Sequence, residues 1–190
     1  MMNDLVQELK KIAQAKEKFV IVIDGMSASG KSTFAQKLAS ELDANLIKMD
    51  DFFLPKELRT LNRYQEAGGN IHYERFKEEV VDHINENISY GIFDCKSMKI
   101  LKKVNVLKKK FIIIEGAYSM HPYFDKYYDY AIFMKIDSNE QLKRINLRNP
   151  DKLDSFKKQW IPLEKQYFKD YQIEKKCNKV FRNYGCVTKR

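Results

Sequence analysis

Eight consecutive residues, Gly25, Met26, Ser27, Ala28, Ser29, Gly30, Lys31 and Ser32, satisfy the pattern G-x-x-x-x-G-K-[ST]. Glycine at the first and sixth positions lets the backbone curl until successive N–H groups converge on phosphate oxygens. Lys31 adds a point charge that can reach β- and γ-phosphates. The Ser32 hydroxyl is a hard oxygen ligand for Mg²⁺, and Thr33 supports the start of a helix whose N-terminus adds positive potential. The chemistry is recognition of a nucleoside triphosphate. Two further stretches carry carboxylates: KMDDFF, with Asp50 and Asp51, and IIIEG, with Glu115. A carboxylate beside a γ-phosphate can accept the proton of an attacking hydroxyl or hold Mg²⁺. Asp50 is the candidate base. Glu115 with Ser32 is the candidate magnesium set, a salt bridge to a lysine being the plainer reading of Glu115. Asp51, on the other side of the chain, is equally a capping residue. In QLKRINLRN, Arg144 and Arg148 lie four apart on one helix face. Over the phosphates they would neutralise charge developing during transfer; otherwise they are solvated helix arginines.

These residues need a scaffold, and the hydrophobic pattern supplies one. Phe19 to Asp24, FVIVID, is a nearly continuous apolar run that reads as a strand buried on both faces, and Lys31 to Leu42 reads as a helix. Strand, glycine loop and helix is the setting in which the loop binds phosphate. A short strand over Asn45–Met49 ends at Asp50; further buried strands are predicted over Phe111–Gly116 and Tyr130–Ile136. The repeated signature implies a mostly parallel sheet, at whose carboxyl ends ligands gather. Helices are predicted near 3–16, over YERFKEEVVDHINEN with Phe76, Val80, Val81 and Ile84 on one face, over 139–148 and over much of 153–171. Residues 90–108 read as a β-hairpin and CNKVFRNY as a last strand.

Of 190 residues, 44% are hydrophobic and 13% aromatic, enough for the core of one α/β domain. No apolar run approaches the ~20 residues that span a bilayer, and the charged N-terminus is unlike a signal, so no membrane partner and a cytoplasmic location are expected. Cys95, Cys177 and Cys186 are odd in number and far apart, which reads as reduced thiols. The net charge of +9 suits anionic ligands. The lysines are nevertheless spread along the chain and no RNA-binding motif stands out, so a nucleic-acid partner is not supported.

GMSASGKST, MDDFF and IIIEGAYS, in that order and spacing, resemble the uridine kinase and phosphoribulokinase group of P-loop kinases over most of the chain. The resemblance implies an α/β P-loop three-layer sandwich with a mostly parallel sheet, a small β-hairpin and a helical lid at about 148–170, in a single kinase domain over 1–190. It also implies ATP and Mg²⁺. In that group an Asp-x-Phe-[FY] element follows the glycine loop, its first aspartate acting as general base; that position is Asp50. Nicotinamide riboside kinases carry a similar element. The resemblance makes Arg144 and Arg148 lid arginines, and SFKKQWIPLEKQYF looks like the continuation found in bacterial uridine kinase-like proteins, with Trp160 as core anchor or lid contact. Members acting on uridine carry a Tyr-Asp-Phe hairpin element and a His-Pro segment. Here GIFDCKS puts Phe93 at the tyrosine and keeps Asp94, while GGNIHYERF offers His72 and Tyr73 without the proline.

Candidate acceptor contacts are therefore Asp94, unless it is a bare hairpin acid, with His72, Tyr73, His121, and Arg63 for a substrate anion. The expected activity is ATP-dependent phosphoryl transfer to a hydroxyl of a small molecule, first a nucleoside of the uridine or cytidine type. Nicotinamide riboside, pantothenate or a sugar acid are alternative acceptors, and a P-loop ATPase is the alternative class. Spacing leaves the oligomeric state open, a homo-oligomer included.

Overall fold

The computed structural model describes residues 2–182. In chain order these form α1 (Met2–Ile12), β1 (Phe19–Gly25), α2 (Lys31–Leu42), β2 (Asn45–Lys48), α3 (Leu61–Gln65), and α4 (Tyr73–Phe76), which runs on through a π-helical turn, Lys77–Val81. There follow β3 (Ile88–Asp94), β4 (Lys99–Val106), β5 (Phe111–Glu115), β6 (Tyr130–Lys135) and α5 (Ser138–Arg148). Next come α6 (Leu153–Ser155), a second π turn at Phe156–Trp160, α7 (Ile161–Asp170), α8 (Ile173–Lys176) and β7 (Lys179–Arg182).

Five strands form one parallel sheet in the order β2-β5-β1-β6-β7, while β3 and β4 pair antiparallel as a separate hairpin. All seven residues of β1 are buried because the sheet is covered on both faces. Successive side chains point to opposite faces, so the apolar run divides between two cores. Val20 and Val22 pack with Ile112, Ile114 and Phe133, beneath Phe52, Phe76 and Tyr167. Phe19, Ile21 and Ile23 pack with Ile113 and Ile132 against Leu5, Leu9 and Leu38 of α1 and α2. Helices α1 and α2 thus cover one face, and α4, α7 and α8 with the intervening loops cover the other: the expected α/β three-layer sandwich.

Several element ends differ from expectation. The first helix stops at Ile12, well short of residue 16, because its buried stripe of Leu5, Val6, Leu9 and Ala13 runs out there. Met49 does not end β2. Although apolar and fully buried, it opens a 3₁₀ turn over Met49–Phe52, so Asp50 and Asp51 sit on a tight turn and not on a strand end. The amphipathic segment after Tyr73 is helical only to Val81. The last strand covers Lys179–Arg182 of the predicted CNKVFRNY, whose end, like Cys186, lies outside the described residues. Cys95 and Cys177 are free thiols; burial pushes Cys177 up to about 12.

Candidate active site

The glycine loop leaves β1 through Gly25, whose φ of 136° lies where L side chains rarely go. A Cβ there would meet the Met134 carbonyl oxygen of β6 at 2.2 Å. Gly30, at φ 93°, starts α2. Lys31 is folded back on its own loop, Nζ donating to the carbonyls of Gly25 and Met26, both at 2.8 Å. Ser29 is fully buried, whereas Ser27, Ala28, Gly30, Lys31, Ser32 and Thr33 face a cavity of about 650 Å³. The loop is braced from α5. Gln141 Nε2 donates to both the carbonyl and the hydroxyl of Ser27 at 3.0 Å, and Arg144, paired with Glu140 at 2.8 Å, reaches the Ala28 carbonyl at 3.4 Å. Arg148 lines the same cavity from the exposed end of α5.

Both predicted carboxylates line this cavity. Asp50 is exposed to it; Glu115 is 4% exposed. Burial raises the Glu115 carboxyl, the Asp50 charge adds to the rise, and Lys31 and a hydrogen bond with Ser32 oppose it. Ser32 and Glu115 line the same cavity, as their pairing as metal ligands requires. Among the described residues no cluster of three or more His, Cys, Asp or Glu side chains could hold a metal. A hydroxyl and a carboxylate beside a phosphate-binding loop nevertheless suit Mg²⁺, which is commonly held by one or two carboxylates with phosphate oxygens and water. Asp51 turns away, its Oδ2 accepting from Tyr90 Oη at 3.4 Å.

One buried arginine fixes the turn that carries Asp50. Arg75, 9% exposed, donates to the Asp51 carbonyl and to the Gly91 carbonyl of β3 at 2.8 Å, pairs with Glu79 at 3.0 Å, and lies 4.3 Å above the Phe52 ring. Glu79 also accepts from Gly91 N–H at 2.9 Å. The candidate base, the hairpin and α4 are thus one unit.

Two acids that sequence reasoning passed over lie beneath the loop. Asp24 is fully buried, accepts from Tyr167 Oη at 2.7 Å and from Gly25 N–H at 2.6 Å, and is raised by burial to about 6. Glu164, 7% exposed, accepts from Ser27 N–H at 3.0 Å; burial raises it to about 7 against the pull of Lys31. Glu164 and Tyr167, three apart on α7, pin that helix to the loop and to β1. Asp24 had the signal used for Glu115, an acid closing an apolar strand; Glu164 resembled any polar helix position.

The raised Glu164 carboxyl links protonation to stability. A folded-state value of about 7, above the ordinary 4.5, means that protonation favours the fold. That stability is present below about pH 4.5 and lost as pH rises through 7, on the order of 3 kcal/mol. Glu164→Gln keeps an acceptor for Ser27 N–H and removes the buried charge. We expect it to raise the melting temperature of the nucleotide-free protein by several degrees at pH 8 and to change little at pH 4.5. Equal melting shifts at both pH values would refute this.

The predicted acceptor contacts do not line the cavity. Arg63 pairs with Glu74 at 2.6 Å, donates to the carbonyls of Gly69 and Ile71, and lies 3.9 Å over the Tyr73 ring. Buried Tyr73 donates to Glu66 at 3.0 Å, and His72 caps α4 through Arg75 N–H at 3.3 Å. His121 is a core residue, stacked on Tyr73 at 4.7 Å, with its ring bonded to Ala67 O and Tyr123 N. Asp94 accepts from Ser97 N–H at 2.7 Å in the hairpin turn. In their place Arg59, Asn70, Cys95, Met98 and Tyr118 line the cavity, with Trp160 from the second π turn. Tyr118, at φ 75°, holds a backbone conformation unusual for a bulky side chain.

No family model matches the chain. It is 27% identical over 146 residues to a uridine kinase of Ureaplasma parvum serovar 3, covering 70% of each chain. In fold it is similar to a candidate uridine kinase from Bacillus stearothermophilus, with a TM-score of 0.70, 18% identity and coverage of 95% and 98% of the two chains. A candidate fructose transport system kinase from Silicibacter sp. TM1040 is similar at a TM-score of 0.72, 19% identity and the same coverage. Motif order, parallel sheet and relatives converge on one likeness: the chain resembles the uridine kinase-like P-loop kinases.

Proposed function

We propose that the protein transfers the γ-phosphoryl group of ATP to a hydroxyl of a small molecule, a nucleoside being the leading acceptor. The observation that carries this reading is the meeting of Lys31, Ser32, Glu115 and Asp50 around one cavity. Lys31 would exchange its two loop carbonyls for phosphate oxygens, and the loop amides would hold the nucleotide in place. Mg²⁺, held by Ser32 and Glu115, would neutralise charge on the phosphates. Arg144 and Arg148 would offset the charge that develops on the transferred group. Asp50 would take the proton of the acceptor hydroxyl as its oxygen bonds to the γ-phosphorus and the bond to the β,γ-bridging oxygen breaks, releasing ADP. The segment at 148–170 would act as lid, in a single kinase domain over 1–190. Among the described residues no helix is long and apolar enough to cross a membrane.

Labelled ATP offered with nucleosides, nicotinamide riboside, pantothenate and sugar acids tests the reading, and a phosphorylated nucleoside is the expected product. Turnover of another acceptor alone would move the assignment within the kinases. ATP hydrolysis stimulated by a macromolecule, with no phosphorylated product, would sink it in favour of an ATPase.

A further inference from the structure

Arg59 is a cation of the cavity that the phosphate-handling set leaves over. It follows the 3₁₀ turn Lys56–Leu58 and is half-buried. Its Nε donates to the Leu54 carbonyl at 2.8 Å, which sets the guanidinium plane, and a terminal nitrogen rests 3.7 Å from the Met98 sulfur at the hairpin tip. Neither contact neutralises its charge. Among the described residues Arg59 has no salt-bridge partner, whereas Arg63, four residues on in α3, is neutralised by Glu74. One arginine is consumed by the protein; the other is offered to the cavity.

Its surroundings describe what it could take. The Cys95 thiol at the hairpin tip is raised by burial, by Asp50 and by Asp94, and lowered by Arg59 and Lys152, so two acids and two cations surround that tip, neither acid within salt-bridge distance of Arg59. Lys31 and Arg144 are engaged on the other side, at the glycine loop. Phe53, Met98 and Phe156 give the cavity apolar walls. Asn70, 5% exposed, also lines it, and its Oδ1 has no hydrogen-bond partner. A partly desolvated guanidinium without a counterion is costly to hold, and its planar fork matches a carboxylate or phosphate with two parallel hydrogen bonds.

We propose that the acceptor is an anionic hydroxyl compound, its carboxylate or phosphate gripped by Arg59 while its free hydroxyl faces Asp50. This rests on the kinase reading but replaces its leading acceptor, a neutral nucleoside, with a charged one, because a neutral nucleoside leaves Arg59 unanswered. In the transfer the acceptor oxygen gains the γ-phosphorus, ADP leaves, the hydroxyl proton passes to Asp50, and the anionic group is unchanged.

Matched pairs test this: uridine with orotidine, panthenol with pantothenate, and glycerol with glycerate for the carboxylate arm, and ribose with ribose 5-phosphate for the phosphate arm. In at least one pair the charged member should exceed its neutral partner in kcat/KM by about 30-fold or more. Arg59→Gln should bring that ratio to within about 3-fold, mainly through KM, and Arg59→Lys should restore part of it. Calorimetric binding of the charged member beside a non-hydrolysable ATP analogue reads the same site without turnover, and the analogue's own affinity reports that the variant is folded. Arg59-dependent binding with no phosphorylated product would keep the anion site and remove the kinase reading. Transfer to neutral members at least as fast, or a charged preference surviving Arg59→Gln, would remove the anion site and keep the kinase. Neither transfer nor Arg59-dependent binding would overturn both.

Discussion

Asp50→Asn is expected to lower phosphoryl transfer by about 10²–10⁴-fold while leaving the affinity for an ATP analogue within about 3-fold. The change is nearly isosteric and keeps a carbonyl oxygen toward the cavity; what it removes is the capacity to take a proton. The turn should survive, because it is held by buried Met49 and Phe52 and by Arg75 on the Asp51 carbonyl, not by the Asp50 side chain. Initial rates with the best acceptor, alongside calorimetry of the analogue, make the comparison. Asp50 also lies close enough to Glu115 to raise its carboxyl, which offers a second role in holding magnesium. The two roles separate on titration with Mg²⁺: loss of a base persists at saturating metal, whereas loss of a metal ligand is recovered. Unchanged transfer would end the assignment.

Gly25→Ala is expected to be strongly destabilising although it adds a single methyl group. The new Cβ would lie 2.2 Å from the Met134 carbonyl oxygen and 2.6 Å from its nitrogen, both backbone atoms of β6. Flexible side chains could swing away; a paired strand cannot. Gly25 is in register with Met134, and Met26 N–H donates to the same carbonyl at 3.0 Å, so relief means parting β1 from β6 where the loop begins. A φ of 136° costs a non-glycine residue about 1–3 kcal/mol, and overpacking adds about 1–3 kcal/mol. Against a total stability of roughly 5–15 kcal/mol, a melting temperature lower by about 5–20 °C follows, together with weaker nucleotide binding. A shift below about 2 °C would show that β6 yields more easily than its pairing suggests.

Much of the scaffold was readable because burial on both faces leaves an unambiguous trace. Residues 19–23 and 111–114 are unbroken apolar runs, and the glycine loop between β1 and α2 has a spacing that few other structures require. The same logic misplaced Met49, because a buried side chain continues a strand pattern whether or not the backbone has begun to turn. The acceptor side was less legible. Arg59 and Arg63 lie four residues apart and share one chemistry, and only Glu74, brought alongside Arg63 by α4, decides which of them keeps its charge for a ligand. Glu164 reads as a polar helix residue until the fold sets α7 beneath Ser27. Such distinctions belong to tertiary contact, which spacing along the chain does not encode.

The way Arg75 holds its neighbours bears on how proteins of this shape could diverge. It grips the turn through the Asp51 carbonyl and the hairpin through the Gly91 carbonyl, main-chain groups that nearly every residue possesses. The hairpin tip, with Cys95 and Met98 toward the cavity, lies beyond that grip. Its side chains can therefore be rewritten without disturbing Asp50. New acceptor preferences could arise there by successive single substitutions, each tried on a phosphoryl-transfer apparatus that stays in working order.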